Sequence, residues 1–179
     1  MAILHIPDQD RKINDAAEIK SFLAERGVLY DQWEAQVEFA EDADQDTVLG
    51  AYEHVLKPYM ESNGYKTADV ISVSPNTPNL DAIKTKFLTE HTHSEDEVRF
   101  FVDGEGLFWF NMENGNPVFC VICQQGDLIS VPANTKHWFD FGPKTSVKAI
   151  RVFIDQSGWV PHYTSSGVDQ EYNELGLSA

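Results

Sequence analysis

His91-Thr92-His93-Ser94-Glu95-Asp96-Glu97-Val98-Arg99-Phe100-Phe101-Val102-Asp103-Gly104 decides how the chain is read, because a group of metal-ligand side chains runs directly into an alternating strand. Residues two apart in a strand share a face, so the imidazoles of His91 and His93 can reach a common point, and after a short bend Glu97 adds a carboxylate. The same parity sets Glu97, Arg99 and Phe101 on one face and Val98, Phe100 and Val102 on the other. Arg99 is therefore expected to point inward beside the ligand. His137, forty residues after Glu97, is the fourth candidate donor. Three neutral imidazoles and a carboxylate suit iron, nickel, manganese or zinc, whereas calcium and magnesium prefer oxygen shells. Four ligands on an octahedral ion leave two positions for a chelating substrate, an arrangement for chemistry rather than support. His5, His54 and His162 lie outside the grouping and read as ordinary surface or capped histidines.

Outward from this stretch, Glu97 to Gly104 gives E-x6-G, and Gly126-Asp127-Leu128-Ile129-Ser130-Val131-Pro132 gives G-x5-P ahead of His137. The pair resembles the two-part signature of the cupin barrels. Thr85, Asn134 and Phe141 stand where that signature more often has Gly, Gly and Asn, and none of these departures removes a ligand. Asn tolerates the left-handed backbone that Gly would have supplied. Within the cupins, the run from His91 to Phe101, with Ile129-Ser130-Val131-Pro132-Ala133, His137-Trp138-Phe139-Asp140, Ala149-Ile150-Arg151 and Gly158-Trp159, resembles the acireductone dioxygenases of methionine salvage.

That resemblance implies one Fe(II) or Ni(II) ion per chain held by His91, His93, Glu97 and His137. It implies cleavage of 1,2-dihydroxy-5-(methylthio)pent-1-en-3-one by dioxygen, to 4-methylthio-2-oxobutanoate and formate with iron, or to 3-methylthiopropanoate, formate and carbon monoxide with nickel. It also implies a monomer, a part for Asp96 in metal loading and a part for Trp159 in transmitting conformational change. Arg99 reads either as the ion-pair partner of a carboxylate or as an anion clamp for an enediolate, and both roles are compatible. Phe87, Phe139 and Trp159 are candidates to shape an apolar pocket for the methylthio tail, or are simply core. Arg151 is either a second cation near the site or a surface salt bridge. The competing readings are another metal cupin, such as a different dioxygenase or a sugar isomerase, and a non-catalytic binding module whose metal holds the barrel together.

Composition narrows the partners. A net charge of −16 in 179 residues argues against nucleic acid and against anionic membranes. No apolar run spans a bilayer and the N-terminus lacks a signal-peptide pattern, so a cytoplasmic protein is expected. Cys120-Val121-Ile122-Cys123 has no second pair to complete a thiolate site, and positions three apart in a strand face opposite sides, so both read as reduced core or sheet-face cysteines.

Along the chain, Asn14 is placed to cap a helix whose Ile19, Phe22 and Leu23 share a face, with Gly27 as its stop. A strand follows over Val28 to Glu34, then a charged loop over Glu38 to Asp46. The apolar spacing of Val48, Leu49, Tyr52, Val55, Leu56, Tyr59 and Met60 predicts a helix over Asp46 to Ser62, with Pro58 kinking its end. A short helix is expected over Leu80 to Leu88. From Val98 to Ile154 the period becomes two, with a hairpin at Asn114-Gly115-Asn116. The expected fold is mainly β with flanking helices, a cupin-type antiparallel β-barrel (double-stranded β-helix, or jelly roll). The chain reads as one domain over 1–179, helix-rich over about 1–88, with a barrel core over about 89–163 and a loose polar tail over 164–179.

Overall fold

The computed structural model describes residues 1–172. Eleven strands form one extended antiparallel sheet: β1 (Ile3–Ile6), β2 (Arg11–Ile13), β3 (Leu29–Gln32), β4 (Thr67–Val73), β5 (His91–Thr92), β6 (Glu97–Phe110), β7 (Phe119–Gln124), β8 (Asp127–Val131), β9 (His137–Asp140), β10 (Val147–Phe153) and β11 (His162–Tyr163). Among the described residues four α-helices accompany them: α1 (Ala16–Ala24), α2 (Gln45–Asn63), α3 (Leu80–Leu88) and α4 (Val168–Tyr172).

The expected closed barrel is not what forms. Ten pairings join the eleven strands, so the pattern branches and never returns on itself, and among the described residues the sheet is not closed. The architecture is a mixed β/α, cupin-like one with an open sheet. The reason lies in β6. Its first half pairs with β8 and β10, and its second half with β7 and β9. Between Phe101 and Asp103 the partner strand β10 advances by only one residue, from Ala149 to Lys148, so Val102 is an extra residue and the strand bulges. Gly104 follows with φ +73, and a Cβ there would lie 2.1 Å from the Ser146 carbonyl oxygen. The bulge bends β6 and reverses its parity: Phe101 faces the interior, as do Phe108 and Phe110 beyond it. One strand thus serves two half-sheets that pack face to face.

The layers follow from this bend. The interior holds Leu4, Ile6, Phe101, Phe108, Phe110, Ile129, Phe139 and Ala149, drawn from both halves and closed by Ile19 and Leu23 of α1. Outside the β8–β6–β10 half, Val98, Phe100, Val102 and Ile150 pack against Val48, Tyr52 and Leu56 of α2. Outside the other half, Leu107, Trp109, Cys120 and Trp138 meet Val168 and Tyr172 of α4. Cys120 and Cys123 are free, fully buried and on opposite faces, as their spacing predicts.

Local expectations hold with shifts. Helix α2 starts one residue earlier than expected, capped by Asp44, and ends at Gly64 in the left-handed region, with Pro58 inside it. The cap of α1 is Asp15, not Asn14: the Asp15 side chain accepts from the Glu18 amide at 2.9 Å. His5 is buried rather than at the surface. The tail is not loose over 164–172, since it includes α4, with the Tyr172 ring tilted against Trp109 and its hydroxyl donating to Asp8 at 2.7 Å. Residues 173–179 of the expected tail lie outside the described residues. Among the described residues, no helix is long and apolar enough to cross a membrane.

Candidate metal centre

Strand pairing brings the four predicted ligands together. His91 on β5 faces His137 on β9 directly, and Glu97 opens β6. Asn134 adopts φ +62 in the turn before β9, as expected of an Asn standing in for Gly, and its amide bonds the His93 carbonyl at 2.8 Å. His91, His93, Glu97 and His137 are all buried, and their donor atoms lie within 4.8 Å of one another.

The hydrogen bonds behind the imidazoles decide what their front nitrogens offer. Nδ1 of His91 lies 2.6 Å from the Thr89 carbonyl, Nδ1 of His137 lies 2.8 Å from the Thr135 carbonyl, and Nδ1 of His93 lies 3.4 Å from that of Val160. A carbonyl only accepts, so each Nδ1 carries the proton and each Nε2 presents a lone pair inward. His91 stays neutral at working pH, because burial, with His137 next to it, lowers its pKa to about 4. Yet Nε2 of His93 and Nε2 of His137 both lie against the same oxygen, Glu97 Oε2, at 2.9 and 3.0 Å. Two lone pairs and a carboxylate oxygen at that range need positive charge among them. A divalent cation supplies it to all four side chains at once. The separations fit, since metal–ligand bonds of about 2.1 Å place adjacent octahedral donors about 3 Å apart.

Arg99 points inward with Glu97, as strand parity predicts. Its Nη2 lies 2.8 Å from Glu97 Oε1, and each side chain is 2% exposed. Burial alone would raise the Glu97 carboxyl, but the Arg99 charge and the His137 and His93 contacts outweigh it and hold the group well below the usual carboxylate range. For Arg99 the balance differs: burial lowers its pKa, Glu97 opposes this, and Arg151 lowers it further. The guanidinium sits in an aromatic cage, 4.3 Å from the Phe139 centroid, 5.2 Å from Phe108 and 5.4 Å from Phe87. Arg99 Nε is buried with no hydrogen-bond partner, an unused donor beside the ligand cluster.

The other predicted residues divide. Phe87 on α3 and Phe139 on β9 lie edge-on to each other and flank the Arg99 guanidinium. Trp159 stacks on His93 at 5.9 Å and donates its indole N–H to the Asp96 carbonyl at 3.2 Å. Asp96 is not among the converging donors; its Oδ1 accepts from the Ala133 amide at 2.9 Å. Arg151 forks onto Asp69 at 2.8 and 2.6 Å and lies over Phe153 and Trp159. Sequence reasoning missed Phe108, Asp69 and Tyr163, whose ring lies 6.0 Å from His91 and whose hydroxyl donates to the Lys86 carbonyl. Alternation along β6 past the bulge would have found Phe108 only if the parity reversal had been visible. It missed Glu90 too, a buried carboxylate next to His91 that accepts from Asn111, Thr164 and Ser166.

Comparison with known proteins agrees with this geometry. Residues 3–161 match the model of the ARD/ARD′ family. The chain is 51% identical to an acireductone dioxygenase of Picosynechococcus sp. over 177 residues, covering 99% of this chain and all of the relative. It is 46% identical to one from Alcanivorax borkumensis, covering 93% of this chain and 91% of that one. Among solved structures it is similar to an acireductone dioxygenase from Bacillus anthracis with a cadmium ion in its active centre, with a TM-score of 0.81 and 36% identity, covering 91% of this chain and 98% of that one.

Proposed function

We propose that this chain, which belongs to the ARD/ARD′ family and is a metal-dependent acireductone dioxygenase, divides the reaction between one buried ion and a desolvated guanidinium. His91, His93 and His137 through Nε2, with Glu97, would hold Fe(II) or Ni(II). When bound, the ion supplies Lewis acidity to the adjacent oxygens of the substrate. Arg99 does the rest of the electrostatic work. It is permanently charged and caged by Phe87, Phe108 and Phe139, and its unpartnered Nε–H is free to donate to an enediolate oxygen. A dry cage strengthens that bond and keeps water from the electron-rich anion. The apolar methylthio tail takes the aromatic side of the cavity, against Phe87 and Phe139, with Trp159 closing over His93. Trp159 also links the site to Asp96, whose solvent-exposed position suits a part in metal loading. The substrate is 1,2-dihydroxy-5-(methylthio)pent-1-en-3-one. The products would be 4-methylthio-2-oxobutanoate and formate with iron, and 3-methylthiopropanoate, formate and carbon monoxide with nickel.

The observation that carries this reading is the convergence of three carbonyl-tethered imidazoles on Glu97, with an unused guanidinium N–H beside them. The whole chain acts as one domain in it. Two free buried thiols favour a reducing, cytoplasmic compartment. The test is to add anaerobic acireductone to iron-loaded protein and then admit air. Dioxygen uptake with stoichiometric formate is expected, with Arg99→Ala retaining metal but losing most turnover. Uptake no greater than that of metal-free protein, or full activity in Arg99→Ala, overturns the division of labour.

A further inference from the structure

Arg99 on β6 is the register partner of Arg151 on β10, and Arg151 is the register partner of Asp69 on β4. Paired residues on adjacent strands share a face, so Asp69, Arg151 and Arg99 form one row on the interior side, with Glu97 two residues along from Arg99. The outer pair is the more exposed: the Glu97 and Arg99 side chains are 2% exposed, those of Arg151 and Asp69 24% and 18%. The row therefore runs from the ligand cluster toward solvent. Two guanidiniums directly opposite each other repel, and each is matched by its own carboxylate.

The second match is built with a particular geometry. Nε of Arg151 donates to Asp69 Oδ1 at 2.8 Å and Nη2 donates to Oδ2 at 2.6 Å. This fork uses one edge of the guanidinium and two of its five N–H groups, leaving the Nη1 edge to bind another anion. The plane is also fixed, lying 5.3 Å from the centroids of both Phe153 and Trp159. A partly exposed ion pair of this kind contributes little to folding. An arginine held in place beforehand, however, binds an anion without first having to be ordered.

We propose that Asp69 is a positioning residue for the dioxygenase, presetting Arg151 so that its remaining N–H groups meet the anionic substrate as it enters beside Arg99. The proposal rests on reading Arg151 as an anion-binding group, and the test separates the two. Metal-loaded wild type, Asp69→Asn, Arg151→Ala and the double variant are compared for KM, kcat, thermal midpoint and anaerobic calorimetric Kd for the keto-acid product 4-methylthio-2-oxobutanoate. Measurements at about 0.5 M salt, where the screening length is about 4 Å, suppress the opposing gain from deleting a negative charge. Asp69→Asn is expected to raise KM and Kd roughly 3- to 10-fold, the factor for ordering one long side chain on binding, with kcat changed less than about twofold. In the Arg151→Ala background the same substitution should change neither. Asp69→Glu, which keeps the charge but displaces the fork, should fall between and serves if Asp69→Asn folds poorly. An unchanged KM and Kd in Arg151→Ala overturns the reading of Arg151 and the proposal with it. If Arg151→Ala weakens binding but Asp69→Asn only lowers the thermal midpoint, or acts equally without Arg151, Asp69 is a structural partner and the proposal alone falls.

Discussion

Glu97→Gln tests the charge balance of the centre most directly, because it preserves shape while leaving Arg99 buried without a counter-charge. The two groups lie 2.8 Å apart, each 2% exposed. Their gross attraction at an effective dielectric constant of 20 is about 6 kcal/mol, and breaking such a buried pair from one side costs about 3–5 kcal/mol net. At this chain length each kcal/mol moves the melting temperature by about 2–4 °C, so a fall of about 10 °C is expected. Arg99→Met, which strands the carboxylate instead, should also destabilise. The double variant should recover much of the loss, because the Phe87, Phe108 and Phe139 cage accepts an apolar side chain. The assay is thermal and urea unfolding of metal-free protein at pH 7, followed by circular dichroism, so that altered metal affinity does not enter. A Glu97→Gln variant melting within about 2 °C of the parent, or losses that simply add in the double variant, would refute the pairing of these charges as the balance that stabilises the site.

Two further outcomes are expected. His91 has its folded pKa lowered to about 4 by burial, from 6.5, so the unfolded chain takes up the proton first as pH falls. The contribution is therefore intact above pH 6.5 and declines by about 3 kcal/mol between pH 6.5 and about 4, and urea midpoints of metal-free protein should lose that component in His91→Gln. Gly106→Ala places a Cβ 2.2 Å from the tip of the Phe139 ring, which must shift, and that ring is one of those caging Arg99. Overpacking of this kind costs about 1–3 kcal/mol and should lower both melting temperature and turnover, whereas Gly50→Ala, with nothing within 4 Å, should raise stability slightly. Equal behaviour of the two glycine variants would contradict the packing described.

The ligands were legible in the sequence because their geometry is local. H-x-H-x3-E needs only the two-residue period of a strand, and the parity of Glu97 and Arg99 needs nothing more. Helix α3 likewise matched residue for residue, since its start and end are set within nine residues. The barrel misreading has the opposite cause. Closure depends on which strands pair, and β6 changes partners at a bulge opened by one extra residue, Val102, that no periodicity marks. The Asp69–Arg151 pair spans 82 positions and exists only because β4 pairs with β10. The tail was misread for the same reason: Thr164 and Ser166 look like loop residues until their acceptor, Glu90, is known. Asn14 and Asp15 are equally able caps by residue type, and the cap is Asp15 because the helix starts at Ala16, one position later than a cap at Asn14 would require.

An open sheet gives the metal centre a mechanical part that a closed barrel would not. Glu97 belongs to the half of β6 paired with β8 and β10, whereas His91 and His137 belong to β5 and β9 in the other half. The four donors therefore straddle the two half-sheets, which share only the bent strand β6 and the packing between them. An ion bound by all four ties the halves at the point where strand pairing does not. Its binding free energy then adds to that of packing the interior, so tighter metal binding must raise the stability of the fold. The C-terminal segment reinforces the same junction through Val160 behind His93, Gly158 on Ser94, and Thr164 and Ser166 on Glu90. Substitutions along that segment should therefore reach the centre by loosening the imidazole tethers, without any change to a ligand.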